Sequence, residues 1–547
     1  MKIKIPIILF LTLFVAIKFV NAQLFISSGS TFHIQSGGTV TVQGDVTSSS
    51  DITGPGKVIL KGSANQNVNM NGFTVPNLEM DNAANATLTG NLRIGTDVTF
   101  TTGKIQQGNF DAFLASTATA TGAGTDKFFE TNGTGFLRKE LTADVAGTNL
   151  PVGAGADYMP VAITTSGSTY ASANVGAQVK GIVSANKHPL TESYLLANWP
   201  ISKVGITGGT TNAVGTYVDP TRVVGAESEL NGFFWNGTNW SLIGSNQNAI
   251  INTAGATITT NNGNLYAMNK FVLVNTKAYL QAAYNTSTPG LMDDKLRTTA
   301  AYVIGGAPTG NIIPTSDPYR TGVTLPASFS RVNNNIPETV ANAAVFNDQS
   351  NAAKNVVDWV FLELRNSGAA PTTVLATRSA LLLRDGSIVD MDGISPVYFK
   401  NVGVASNPSE YITVRHRNHL GIRSLNATTL DIIGSPVPTT IDLSVNAASL
   451  FNSFGANIGG SGIFGLYGGN SNSNNSLRIT GATSAISDLE KIKSVLGTSP
   501  LISNIYSEAD VNMNRIVRIT GATAAVSDLE FIKSILGTSP LISQPTF

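Results

Sequence analysis

The 547-residue chain has no cysteine. That excludes disulfide staples and also an acylated-cysteine lipoprotein anchor. Secreted eukaryotic domains of this size commonly carry disulfides, so the absence favours a bacterial origin. Charge is also scarce: Asp, Glu, Lys and Arg make up 12% of the residues and the formal net charge is zero. Nothing here draws in a polyanion over long range, and nucleic acid is not an expected partner. Beyond the N-terminus there is no apolar run of the ~20 residues that a membrane-spanning helix takes. Also missing are a nucleophile elbow, a phosphate loop, an HExxH and a Ser/His/Asp pattern. The chain therefore reads as non-catalytic.

What is present starts with an export signal. Lys2 and Lys4 precede an apolar core from Ile5 to Val15, and Val20-Asn21-Ala22 supplies the small residues of a cleavage site. Residues 1–22 read as a signal peptide with Gln23 as the mature N-terminus. The expected location is secreted, extracellular or on the outer cell surface.

Glycine reaches 54 residues, and Thr, Asn and Ser are abundant. Such a composition suits many short strands joined by tight turns, because Gly and Asn accept positive φ cheaply. From Leu24 to about Ala115, segments such as Thr39-Val40-Thr41-Val42 and Lys57-Val58-Ile59-Leu60 alternate with period two and end on turn residues. Their spacing near twenty residues predicts the stacked rungs of a parallel β-helix. Its carboxylates are few, and only Glu79 and Asp81 are spaced to share a strand face. They are the candidate acid pair of a rival reading, in which the chain is a glycan-active enzyme or carbohydrate-binding component of polysaccharide breakdown.

Residues 126–271 predict a β-sandwich. It includes two aromatic strand ends around Asn236-Gly237, with Trp235 and Trp240 as hairpin-packing residues or, less simply, a sugar platform. Residues 272–443 predict a second β-sandwich-like module, with a strand at Trp359–Arg365 and a hairpin on Asp385-Gly386. His416, Asn418 and His419 form the one histidine cluster. Residues three apart on a strand face opposite ways, so structural polar packing is expected there rather than zinc. Asp390 and Asp392 read as an Asp-rich turn. A Gly/Asn/Ser-rich stretch within 444–476 reads as a flexible linker.

The C-terminal residues 477–547 hold a duplication. Leu477-Arg478-Ile479-Thr480-Gly481-Ala482-Thr483 recurs 40 residues later (517 − 477) as Val517-Arg518-Ile519-Thr520-Gly521-Ala522-Thr523. Each copy predicts one short helix, capped by Ser487 with Glu490 or by Ser527 with Glu530. Apolar faces of Leu489, Ile492, Val495 and Leu496, and of Leu529, Ile532, Ile535 and Leu536, should pack together. Upstream, Asp510-Val511-Asn512-Met513-Asn514 places oxygen ligands at alternate positions, as the start of a calcium loop does.

Two resemblances follow from these residues. Val357–Arg365, Ala376-Thr377-Arg378 with Leu383–Gly386, and Val414–Leu420, preceded by Leu150–Gly153 and Tyr158–Val161, resemble modules of large secreted Bacteroidota surface proteins described as adhesin- or hemagglutinin-like. The tandem loop-helix pattern resembles the dockerin repeat. That second resemblance implies calcium as cofactor, held in the second repeat by Asp510, Asn512, Asn514, Ile516 through its carbonyl, and Asp528. In the first repeat the matching set is Asn470, Asn472, Asn474, Ser476 and Asp488. Arg515 departs from the pattern, standing where the loop calls for glycine, and no carboxylate falls at the usual twelfth position. The fold expected is thus mainly β, with a parallel β-helix-like stack at 23–125, two β-sandwich domains and a small α-helical dockerin-like repeat pair. The expected function is a non-enzymatic adhesin or scaffold. Its partner would be a glycan, a host or neighbouring-cell surface component, or a cohesin-like protein that takes the repeats.

Overall fold

The computed structural model describes residues 22–298, 310–319, 329–333, 338–347, 351–368, 371–400, 409–430, 438 and 440–547. The predicted signal peptide, Ala22 apart, lies outside the described residues. The chain is mainly β, with 43% strand and 8% helix. It forms two compact units, Met1–Lys187 with Ser193–Ala267, and His188–Glu192 with Met268–Phe547. Among the described residues no helix is long and apolar enough to cross a membrane.

The first unit begins as a β-solenoid of about six turns. One parallel sheet stacks Leu24–Ile26, Val46–Ser48, Gln66–Asn69, Ala86–Leu88, Ile105–Gln106, Phe129–Glu130 and Val152–Ala154. The other stacks Thr39–Val42, Lys57–Leu60, Thr74–Asp81, Leu92–Thr102, Ala112–Leu114 and Leu137–Leu141. The period-two pattern is what closes it. Val58 and Leu60 point inward and sit in register with Leu78 and Met80 of the next rung, which in turn meet Val98 and Phe100. The corners add side-chain donors to the backbone ladder. Buried Gln66 supplies them to Val42 and Gly44, and Asn82 donates to Ala64 and to the Gln66 side chain. Gly103, at φ 78°, admits the neighbouring rung so closely that a Cβ would stand 1.9 Å from the Asn82 carbonyl.

The last solenoid strand does not end the sheet. Leu137–Leu141 pairs antiparallel with Thr169–Ala177, which pairs with Trp199–Thr207, which pairs with Asn262–Asn269. A separate five-stranded antiparallel sheet runs Ala146–Leu150, Val161–Ser166, Thr210–Thr216, Thr253–Thr257, Asn246–Asn248. The strands of residues 126–267 thus grow directly from the solenoid. The hairpin at Asn236-Gly237 forms with Trp235 opposite Trp240. Their rings lie 5.3 Å apart, Trp240 packs 5.8 Å from Tyr266, and its indole N–H donates to the Asn186 carbonyl. The indoles pack on one another and on the unit.

The second unit is built on a mainly antiparallel sheet of Val397–Lys400, Phe271–Lys277, Ser387–Val389, Val374–Leu383, Val356–Asn366, Ser409–His416 and His419–Arg423. Its central strand, Val356–Asn366, is buried at every position but the last, on both faces. The Asp385-Gly386 hairpin forms as read, Gly386 holding φ 85°.

Residues 454–476, whose composition reads as a linker, are instead packed within this unit. Ile458, Leu466, Asn470, Ser471 and Ser473 are buried. Leu466 donates its N–H to the Tyr279 carbonyl, and the Tyr467 carbonyl accepts from Leu420. The glycines there serve turns: Gly459, Gly460, Gly462 and Gly469 all hold positive φ. Chains in which a linker is buried resist nicking. Limited digestion of the native protein with proteinase K is therefore expected to leave 454–476 uncut. Early release of a C-terminal fragment of residues 477–547 would contradict this packing.

The repeats form helices α1 (Asp488–Leu496) and α2 (Asp528–Leu536). Ser487 and Ser527 accept the N–H of Glu490 and Glu530, as the capping reading requires. Glu490 and Glu530 turn outward to Lys493 and Lys533 instead of back to the cap. The strand after α2, Ile542–Ser543, pairs with Ser476–Leu477 ahead of α1, and Ile502–Ser503 after α1 pairs with Ile516–Val517 ahead of α2. Neither repeat closes without the other. Their shared core of Leu477, Ile492, Leu496, Val511, Val517, Ile532 and Leu536 includes Leu420 from the β-sheet. Helices of nine residues are marginal alone, and here both bury their apolar residues in this one core, which the leucine of the sheet completes.

Candidate functional site

The two oxygen-rich loops lie just ahead of α1 and α2. In the second, Asp510 accepts the N–H of Asn514 on one oxygen and that of Arg515 on the other, at 3.0 and 2.9 Å. Asn512 Oδ1 accepts from Asn514, and Asn514 Oδ1 from Ile516. The amide groups of Asn512 and Asn514 donate to the Ala524 and Ala525 carbonyls, which fixes their Oδ1 atoms toward the loop. Asp528, the first residue of α2, reaches back. Its carboxylate accepts from Val511 and Asn512 on one oxygen and from Arg518 on the other. The loop is therefore wound around two buried carboxylates. Arg515 meets the glycine requirement by adopting φ 75° itself, and its guanidinium is held by the carbonyls of Lys295 and Gly310.

The first loop repeats this with fewer charges. Asp488 accepts from Arg478, from Asn472 and from the Ser471 hydroxyl. Asn472 Oδ1 accepts from Asn474, and Asn474 Oδ1 from Ser476. Asn470 donates to the Asn474 carbonyl, while its buried Oδ1 has no partner among the described residues.

Electrostatics set these loops apart. Burial pushes Asp510 up to about 6, against the pull of Arg417 and the two loop N–H groups. Burial and the Asp510 charge push Asp528 to about 8, and burial pushes Asp488 to about 7. Carboxylates sunk this deep invite either protons or a cation. The donor set is hard oxygen throughout, and Asn470 Oδ1 has no partner among the described residues; each oxygen of Asp510 keeps a lone pair beyond the N–H it accepts, whereas Oδ1 of Asp528 and of Asp488 already accepts two donors. A calcium ion taken here would draw on Asp510, Asn512, Asn514, Ile516 and Asp528, and in the first loop on Asn470, Asn472, Asn474, Ser476 and Asp488.

Beside the second loop lies a polar cluster that sequence reasoning did not assemble. Asp358, fully buried in the central strand, accepts from His416 Nε2, from Arg417 Nε and Nη2, from the Tyr506 hydroxyl and from its neighbour's N–H, all at 2.7–3.1 Å. Burial alone would raise it, but Arg417, His416 and Tyr506 outweigh that and hold it at about 2. Arg417 also donates to the Ser507 carbonyl, and Asn418 to that of Asp510. The β-sheet thus grips the second loop from beneath.

The histidines meet in this cluster. Spacing along one strand predicts that His416 and His419 face opposite ways; in the structure a two-residue turn at Arg417-Asn418 makes them cross-strand partners. Their Nδ1 atoms lie 3.0 Å apart, and His419 Nε2 accepts from Ala282 N–H. His419 therefore carries its proton on Nδ1, shared toward Asn418 Oδ1 and His416 Nδ1, while His416 donates through Nε2 to Asp358. Burial holds both below the ordinary histidine range. Among the described residues no cluster of three or more His, Cys, Asp or Glu side chains is arranged to hold a metal; the calcium set above relies on amides and a carbonyl.

The carboxylates of the rival reading are placed differently. Glu79 and Asp81 do share the outer face of their strand, but Glu79 pairs with Lys57 at 3.0 Å and Asp81 with Lys61 at 2.7 Å. Burial raises Glu79, yet Lys57 and Thr101 outweigh it; Lys61 and Thr102 hold Asp81 down. A proton donor near neutral pH needs the opposite shift. Asp390 and Asp392 lie in a turn, Asp390 paired with Arg378 and Asp392 bonding Ile394 and Ser395. One signal for the missed cluster was in the sequence: Asp358 interrupts the apolar run from Val356 to Leu362, and a carboxylate there must be paired. Comparison with protein-family models, with curated proteins and with solved structures finds no match to this chain.

Proposed function

We propose that this protein is a non-catalytic, exported adhesin or scaffold whose C-terminal repeat pair is a calcium-stabilised, dockerin-like docking element. The observation that carries the reading is the duplicated oxygen-rich loop wound around Asp510 with Asp528, and around Asp488, where burial has made the bare carboxylates costly. A second feature supports docking. Ile486 and Leu501 of the first repeat, and their counterparts Val526 and Leu541, remain 39–41% exposed. Apolar side chains left out of the core at matching positions of both copies suit a partner of cohesin-like kind. The ion-paired state of Glu79 and Asp81 speaks against acid–base cleavage of glycans on the solenoid.

The test is thermal melting of residues 23–547 in excess calcium and in EDTA. Calcium at a hundredfold excess over Kd contributes ~2.7 kcal/mol, which for a unit of this size is a rise of roughly 5–10 °C. Identical melts in the two conditions would overturn the calcium assignment.

A further inference from the structure

We propose that the groove where the solenoid sheet passes into the antiparallel sheet of the first unit binds a neutral polysaccharide. This gives the binding reading above a ligand class and rests on it. The groove encloses about 400 Å³ and is lined by Ser116, Glu140, Thr142, Tyr170, Ser172 and Asn174, with Leu141 and Ala173 at its base.

Its lining is fixed before any ligand arrives. Glu140 is held by Arg93 in a two-pronged ion pair, Nε to Oε1 at 2.9 Å and Nη2 to Oε2 at 2.8 Å. Tyr170 is anchored through its hydroxyl, which donates to Asp144 and meets Thr165 Oγ1, at 2.6 and 2.7 Å, leaving the ring as a wall. Asn174 Oδ1 accepts from Arg138, which turns its amide N–H₂ away from that contact. The hydroxyls of Ser116 and Thr142 are exposed and make no hydrogen bond within the described residues.

The backbone is shaped for the groove as well. The pairing of Thr169–Ala177 with Trp199–Thr207 slips between Tyr170 and Asn174, and within that bulge Ser172 holds φ 49°. A non-glycine residue in the left-handed region is strained, and bulges that re-aim side chains recur at functional sites. Here the strain turns Ser172 onto the groove beside Asn174.

The chemistry selects the ligand. An aromatic wall meets the apolar face of a sugar ring, while hydroxyls, an amide and a carboxylate exchange hydrogen bonds with its hydroxyl groups. The charged side chains at the groove are already paired, Glu140 with Arg93 and Arg138 with Asp111. An anionic polymer would find no unspent cation there, and a purely apolar ligand would strand the hydroxyls and the amide.

The experiment is affinity electrophoresis of residues 23–547 through gels containing galactomannan, xyloglucan or laminarin, with alginate as the anionic comparison. At least one neutral polysaccharide should retard the protein. Tyr170→Ala and Ser116→Trp should each weaken that retardation roughly tenfold or more, and Tyr170→Phe, which keeps the ring, should weaken it less. Ser116 is exposed, so its replacement fills the groove without touching the core and decides the matter should Tyr170→Ala misfold. Retardation by none of the three, by alginate alone, or unchanged in Ser116→Trp would overturn the proposal. Release of reducing ends by the wild-type protein would instead overturn the non-catalytic reading, with the groove left standing.

Discussion

Asp358→Ala is expected to cost the second unit about 3–5 kcal/mol, the range for removing one partner of a buried ion pair. The reason is the number of donors that lose their acceptor. Arg417 loses both of its bonds to that carboxylate and stays buried, and His416 and Tyr506 lose theirs. Arg417 would keep only backbone carbonyl partners such as Ser507. For a unit of this size the melting temperature should fall by roughly 10 °C. Arg417→Ala should cost a similar amount, because it leaves Asp358 charged in the same place. The double variant should be destabilised by clearly less than the sum, since each single change already breaks the pair. Additive effects, or a loss under ~1 kcal/mol for Asp358→Ala, would mean that the cluster does not hold the repeats. The same lesion should expose the second loop, so proteolysis of the Asp358→Ala protein should begin near Ser507, where Arg417 grips the chain.

Much of this organisation was legible because it is local. The alternation of Val40 with Val42 and of Val58 with Leu60 needs only the period of a strand, and the rung spacing followed from it. Ser487 and Ser527 announced both helices because an N-cap is decided within four residues. The oxygen run at Asp510, Asn512 and Asn514 was readable for the same reason, and Arg515 yielded because one residue can adopt positive φ when its side chain is anchored elsewhere. What was not legible is long-range. Along one continuous strand His416 and His419 would face opposite ways, whereas a turn at Arg417-Asn418 folds them together. Asp358 and Tyr506 lie 148 residues apart, and no periodicity links them. The stretch 454–476 misled because glycine and asparagine serve a packed chain of tight turns as readily as a flexible one. The groove at Glu140 and Tyr170 had no signature at all, since its walls come from the last solenoid rung and a bulged strand that only folding brings side by side.

Calcium should stabilise the protein strongly near pH 8 and little near pH 6, the values to which burial has moved Asp528 and Asp510. The sign follows from proton binding. A carboxyl raised above its ordinary 3.8 holds more protons folded than unfolded, so in EDTA its contribution is lost as pH rises toward the folded value. For Asp510 that loss is complete near 6, for Asp488 near 7 and for Asp528 near 8. His416 and His419 act in the opposite sense. Their folded values lie below the ordinary 6.5, so the unfolded chain takes up more protons and stability falls as pH drops below it. In EDTA the melting temperature should therefore peak on the acid side of neutrality and decline toward pH 8. Excess calcium replaces the protons on the three carboxylates, and its benefit grows as they leave. Asp528→Asn, which removes the charge, should remove most of the calcium response at pH 8. Asp488→Asn should remove less, because the first loop holds one carboxylate where the second holds two. A calcium shift of equal size at pH 6 and pH 8 would place the ion somewhere other than these loops, for only a cation that displaces those protons gains from their departure.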